Sequence, residues 1–144
     1  MKRGFTLIEL AMTLFVLAIA IAVAAPSLAR GVDTLKTRAE TAGIATFLRA
    51  ARERAITRNE TCEVWVKTEE GVIELRTGER VLASRPTALG VLVTTDPPTS
   101  RVITFLPQGL SSGALLRVEG PGHRAYLVTV DALTGRVATR RFET

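Results

Sequence analysis

Glu9 is the residue whose type and position demand the most explanation: a carboxylate directly before twenty residues, Leu10 to Ala29, that carry no charge. At membrane depth a carboxylate is costly to insert, so one kept there marks a functional site and needs a partner of opposite charge. The chemistry this suits is neutralisation by such a partner. The rest of the reactive inventory is thin. His123 is the lone histidine, in the turn Gly120-Pro121-Gly122-His123; a proton shuttle there needs a carboxylate and a pocket that the sequence does not supply, so it reads as a loop residue. Cys62, the lone cysteine, opens a predicted strand and reads as a small buried residue rather than a nucleophile. One His and one Cys exclude the usual zinc sites within one chain. Glu69, Glu70 and Asp96 lack the dense oxygen-ligand spacing of a calcium loop. No glycine-rich phosphate fingerprint precedes a helix. The expectation is a protein that is not an enzyme and holds no metal or cofactor. One further cluster, Arg136, Arg140 and Arg141, suits phosphate contacts of modest, salt-dependent affinity. A solvated terminal strand is the favoured reading of the same residues.

These groups have to be positioned by the elements around them. The chain has 144 residues, 47% hydrophobic, with a formal net charge of +5. That is one domain's worth, long enough to bury a core without disulfides. As a helix, the uncharged segment reaches roughly 30 Å, the thickness of a bilayer's hydrocarbon core. A helix apolar on all sides would otherwise need a larger protein around it. Lys2 and Arg3 favour a cytoplasmic N-terminus, which leaves everything after Arg30 on the far side. The order of features differs from a secretory signal, since no convincing cleavage site follows the apolar stretch. Residues 30 to 58 continue the helix in amphipathic form. Leu28, Val32, Leu35, Ala39 and Ala42 step along one face, and Ile44, Leu48, Ala51 and Ala55 resume the stripe slightly round the cylinder. Pro26 lacks a backbone donor and is expected to kink or loosen the junction. The polar face carries surplus arginine, consistent with a solvated helix or a basic docking surface. After Asn59 the period becomes alternating. Short antiparallel strands are expected at 62–66, 72–76, 80–83, 90–94, 102–105, 115–119, 125–130 and 136–139, joined by glycine turns. Trp65 and Tyr126 fall inside strands, where sheet packing outweighs a base-stacking role. The expected fold is α+β, one long N-terminal helix on an antiparallel sheet domain.

The string Lys2-Arg3-Gly4-Phe5-Thr6-Leu7-Ile8-Glu9, followed by an apolar helix, resembles the type III signal of type IV pilins and type II secretion pseudopilins. The resemblance implies cleavage by a prepilin peptidase between Gly4 and Phe5 and methylation of the new amine at Phe5. Glu9 becomes the acidic residue five places into the mature chain, and Pro26 matches a proline near the end of pilin spans. A new amine at Phe5 of one subunit and Glu9 of a neighbour then neutralise each other. The runs Ile103-Thr-Phe-Leu-Pro107-Gln-Gly109, Ser112-Gly113 and Tyr126-Leu-Val-Thr-Val-Asp131-Ala-Leu-Thr-Gly135-Arg136-Val137 are similar to the globular part of the GspH/FimT group of minor pseudopilins and minor pilins. The residues between 61 and 101 match little and are where individual specificity is expected. The implied organisation is a leader over 1–4, a transmembrane and filament-core helix over 5–29, an amphipathic helix over 30–58, and a β-rich periplasmic domain over 59–144. The implied role is a minor pseudopilin in the bacterial inner membrane, built into a periplasmic filament with other pseudopilins or pilins by an inner-membrane assembly platform. The alternative is a FimT-like minor type IV pilin that binds DNA through Arg136, Arg140 and Arg141. Loss of the leader removes two bases and leaves 17 against 14 acids, so part of the apparent basicity is a topology signal.

Overall fold

The computed structural model describes residues 6–121 and 124–142, without the side chains of 25–30. Gly4, Phe5 and His123 lie outside the described residues. One helix, α1 (Leu7–Arg58), is followed by eight strands: β1 (Cys62–Lys67), β2 (Val72–Thr77), β3 (Arg80–Pro86), β4 (Leu92–Asp96), β5 (Val102–Phe105), β6 (Ala114–Glu119), β7 (Ala125–Val130) and β8 (Val137–Phe142).

The helix is closed at both ends by local chemistry. Thr6 is extended and its hydroxyl accepts from the Glu9 amide, while Asn59 adopts the left-handed conformation and returns its own amide to the carbonyls of Ala55 and Ile56. Between these caps the two halves of α1 have different surroundings. Leu7–Ala24 has a mean hydropathy of 2.6 and none of it is buried within the chain. From Thr37 onward one face is sealed: Ile44, Leu48, Ala51 and Ala55 have no exposed surface. The buried hydroxyls of Thr37 and Thr41 donate back to the Asp33 and Thr37 carbonyls at 2.9 and 2.7 Å, so neither hydroxyl is stranded. The two stripes read from the sequence therefore have opposite fates. Ile44 to Ala55 faces the core, whereas Val32 and Leu35 remain 49% and 66% exposed, together with Ala39 and Ala42. The backbone stays helical through Pro26.

The strands form two antiparallel sheets of four, ordered β3-β2-β1-β5 and β4-β6-β7-β8. Alternation along β1 buries Cys62, Val64 and Val66 and leaves Glu63, Trp65 and Lys67 on the outer face. Ile103, Phe105, Leu116, Val118 and Val128 complete one core beneath the second half of α1. On the outer face of the first sheet the indole of Trp65 donates to Glu63 at 3.0 Å and lies under the Arg76 guanidinium, 5.1 Å from the ring centre. Trp65 is thus half-buried sheet packing, as its strand position predicted. The strands at the two far edges are longer than the sequence pattern suggested: β3 runs to Pro86 and β8 to Phe142.

The first sheet reaches back to α1 through β3. Arg85 Nη2 sits 2.9 Å from Oε2 of Glu40, which is 6% exposed, and the guanidinium lies directly over Gly43, where a Cβ would collide with it. Removing one partner of a buried ion pair strands the other charge. Arg85→Ala is therefore expected to destabilise the chain by about 3 kcal/mol, the low end of the range for buried pairs because Arg85 is partly solvated. Denaturant unfolding of the detergent-solubilised protein checks this.

Candidate assembly site

Thr6 and Glu9 stand three apart at the start of α1, the spacing of a capping box. The Glu9 amide donates to the Thr6 hydroxyl at 3.3 Å and the Leu10 amide to the Thr6 carbonyl at 3.2 Å. Glu9 is thereby fixed in the first helical turn, where the partial positive charge of the helix terminus favours a carboxylate. This cap was legible as Thr-x-x-Glu and was not drawn from the sequence. Beyond Glu9 the helix is a bare apolar cylinder. Leu10, Met12, Leu14, Phe15, Val16 and Leu17 are each more than half exposed, a surface that needs lipid or other helices around it.

The second part of the site is the seam between α1 and β8. Its position is set by the turn before β8. Asp131 Oδ1 accepts from the Thr134 hydroxyl and amide at 2.8 Å and from the Leu133 amide at 3.1 Å, closing an Asx-type turn. Gly135 follows in the left-handed region (φ +61°), pressed against the Gly109 carbonyl and the side chain of Arg52. Arg52 Nε donates to the Gly109 carbonyl at 3.3 Å and Arg49 Nη2 to the Val137 carbonyl at 3.1 Å, stapling helix, turn and strand together. Two open grooves result. One of about 510 Å³ is lined by Arg38, Thr41, Ala42, Tyr126, Thr139, Arg140 and Arg141. The other, of about 270 Å³, is lined by Arg49, Arg52, Gly135, Arg136 and Val137. The three arginines expected to act together are thus divided, Arg136 in one groove and Arg140 with Arg141 in the other. Each group joins helix arginines that were not assigned to it from the sequence. No carboxylate lines either groove among the described residues.

Titration properties follow from these contacts. Burial pushes the Cys62 thiol up, with Thr77 opposing through a hydrogen bond; a raised thiol is a poor nucleophile at neutral pH. Arg76 first and Lys67 second hold the Glu74 carboxyl below its ordinary value, and the Thr134 hydroxyl does the same for Asp131. A carboxyl whose folded value is depressed stabilises the fold above its unfolded value and loses that contribution as pH falls through the folded one. Acid unfolding should therefore steepen just below the ordinary carboxylate range. Glu74→Gln, followed by pH-dependent unfolding of the solubilised protein, is expected to flatten that slope.

Comparison with known proteins agrees with this architecture. The sequence profile described as "Type II transport protein GspH" matches residues 40–134, and that of the "Prokaryotic N-terminal methylation motif" matches residues 1–25. No curated protein matches the chain by sequence. Among solved structures, the type IV minor pilin FimU of Pseudomonas aeruginosa is similar with a TM-score of 0.65 at 10% identity, over 78% of this chain and 96% of that one. The minor pseudopilin EpsH of the Vibrio cholerae type 2 secretion system is similar with a TM-score of 0.59 at 11% identity, over 74% of this chain and 96% of that one. At such identities the likeness establishes the fold, which is that of pilin subunits.

Proposed function

The chain belongs to the GspH family, and from that premise we propose that it is a minor pseudopilin of a type II secretion machine, a structural subunit that helps drive protein export across the outer membrane. Membership makes it a minor pilin-type subunit of a secretion or pilus system; the choice of the secretion machine is the reading we favour. The observation that carries the structural role is the division of α1: an apolar half with none of its residues buried, continuous with a half that has one face sealed beneath the two sheets. One element serves as membrane anchor before assembly and as filament core after it.

In this reading the prepilin peptidase cuts between Gly4 and Phe5 and the amine of Phe5 is methylated. The span holds the chain in the inner membrane with the body in the periplasm, and the assembly platform moves it into the filament. Glu9 pairs with the amine of a neighbouring Phe5, so the carboxylate costly to keep in lipid is compensated only on assembly. Pro26 loosens the helix where anchor and body meet. Heterologous contacts that do not close give helical filaments, and no catalytic step is required of the subunit. Crosslinking in the native membrane and identification of the neighbours tests the assignment: secretion pseudopilins and platform proteins are expected, and pilus components alone would contradict it.

DNA capture is the second reading, favoured by the two arginine-lined grooves. It predicts that the solubilised full chain shifts duplex DNA in a salt-sensitive manner that is lost on alanine replacement of Arg136, Arg140 and Arg141. Absence of a shift at low salt would remove it.

A further inference from the structure

We infer that the end of the body farthest from the membrane span docks the underside of a different pilin-type subunit, one that presents carboxylates beside apolar side chains. The inference rests on the filament-subunit reading and adds the surface by which this chain holds the subunit ahead of it.

Three segments meet at that end. α1 closes at Arg58, and β5 ends beside the start of β1, where Phe105 pairs with Cys62. The loop after β5 is tight: the Leu106 amide donates to the Leu110 carbonyl and the Gly109 amide to the Leu106 carbonyl, each at 2.9 Å. Ser111 ties it to the turn after β7, its amide donating to the Ala132 carbonyl and its hydroxyl to the Asp131 carbonyl, both at 2.9 Å. Gly109 faces the last helical turn, where Cδ1 of Ile56 lies 3.4 Å from the place a Cβ would take. Two runs singled out in the sequence, one ending at Gly109 and the other at Gly135, are thereby joined.

The polar groups here are spent on one another, yet the largest side chains stay in solvent. Ile56 is 44% exposed, Leu106 and Leu110 37% each, and Leu133 80%. Beyond the span, ten large apolar side chains are exposed among the described residues, and four of them gather on this rim. Single exposed leucines are ordinary, whereas a cluster marks a contact surface.

The groove beside the rim sets the chemistry of the partner. Arg49, Arg52 and Arg136 line it, and no carboxylate does among the described residues. Asp131 is committed through Oδ1 to the amides and hydroxyl of its own turn. A partner that covered the rim without bringing carboxylates would bury the guanidinium groups unpaired.

Position and charge select the occupant. Ile56 stands thirty-two residues, about 48 Å of helix, beyond the apolar window that ends at Ala24, so lipid around the span does not reach the rim. Subunits bundled through parallel spans point this end along the filament, toward the subunit farther from the membrane. A second copy of this chain is opposed by charge. The lower groove on the same flank holds Arg38, Arg140 and Arg141, and a copy stacked above would lower them toward Arg49, Arg52 and Arg136. Duplex DNA would use the arginines and leave the four apolar side chains in water.

The test uses the full chain in its native host, with the rest of the machine present. Leu133, and separately Leu110, is replaced by photoreactive benzoylphenylalanine, and mass spectrometry identifies what ultraviolet light links to it. The expected adduct is a pilin-type subunit of different sequence. Arg136→Glu should lower its yield about tenfold, and so should Leu133→Asp when the probe is at position 110. Because Leu133 is mostly exposed, Leu133→Asp should unfold thermally like the parent chain, and Leu133→Met should keep the adduct. A probe at Leu14 in the apolar helix reports helix association independently. Adducts at position 14 with none at 110 or 133 would defeat the docking proposal and leave the filament reading standing. Loss of all three would defeat both. Adducts at 110 and 133 only with a second copy of this chain, or only with a protein that is not pilin-type, would overturn the proposal.

Discussion

Replacing Glu9 by leucine is expected to leave the chain inserted in the membrane and to remove it from the filament. Insertion improves because a carboxylate costly in lipid is gone. Assembly fails because the amine at Phe5 of the neighbour is left buried without its counter-charge, a loss of about 3–5 kcal/mol per contact. That corresponds to more than a hundredfold weaker incorporation at each interface. Quantifying the chain in membrane and filament fractions separates the two effects. Normal incorporation of the leucine variant would remove this account of the carboxylate. Glu9 is also held by its own helix, through the Thr6 cap and the partial charge of the terminus. Thr6→Ala is therefore expected to weaken assembly far less than Glu9→Leu.

Gly135→Val should be the most damaging single change in the body. The left-handed backbone disfavours any β-branched residue, at about 1–2 kcal/mol. The new side chain would also collide with the Gly109 carbonyl and with Arg52, which overpacks a site held by backbone on one side and by a stapled guanidinium on the other. Together these amount to about 3 kcal/mol or more. Because Gly135 leads directly into β8, the loss includes the alignment of both grooves. Thermal unfolding of the solubilised variant checks the stability.

Much of this molecule is legible in the sequence because its strongest signals are local. The apolar run, the change from helical to alternating period at Asn59, and the eight strand segments all follow from neighbouring residues. The buried stripe of Ile44, Leu48, Ala51 and Ala55 is a matter of helical spacing alone. The partition of the strands into two sheets is different, since β1 pairs with β5 across forty residues and alternation cannot say which strands are neighbours. The exposure of Val32 and Leu35 was hidden for a related reason: an apolar helical face looks the same whether its own domain or another chain covers it. The Arg85–Glu40 pair and the union of β8 arginines with Arg38, Arg49 and Arg52 are long-range contacts between residues that read separately as solvated charges. Only the fold brings them together.

Above all, this chain is expected to be matured at Phe5 and built into a filament. Mass spectrometry of the chain recovered from the filament fraction of its native host tests both parts at once. The expected result is a subunit that begins at Phe5 and carries a methylated amine. A chain absent from that fraction, or one that starts at any other residue, would contradict it.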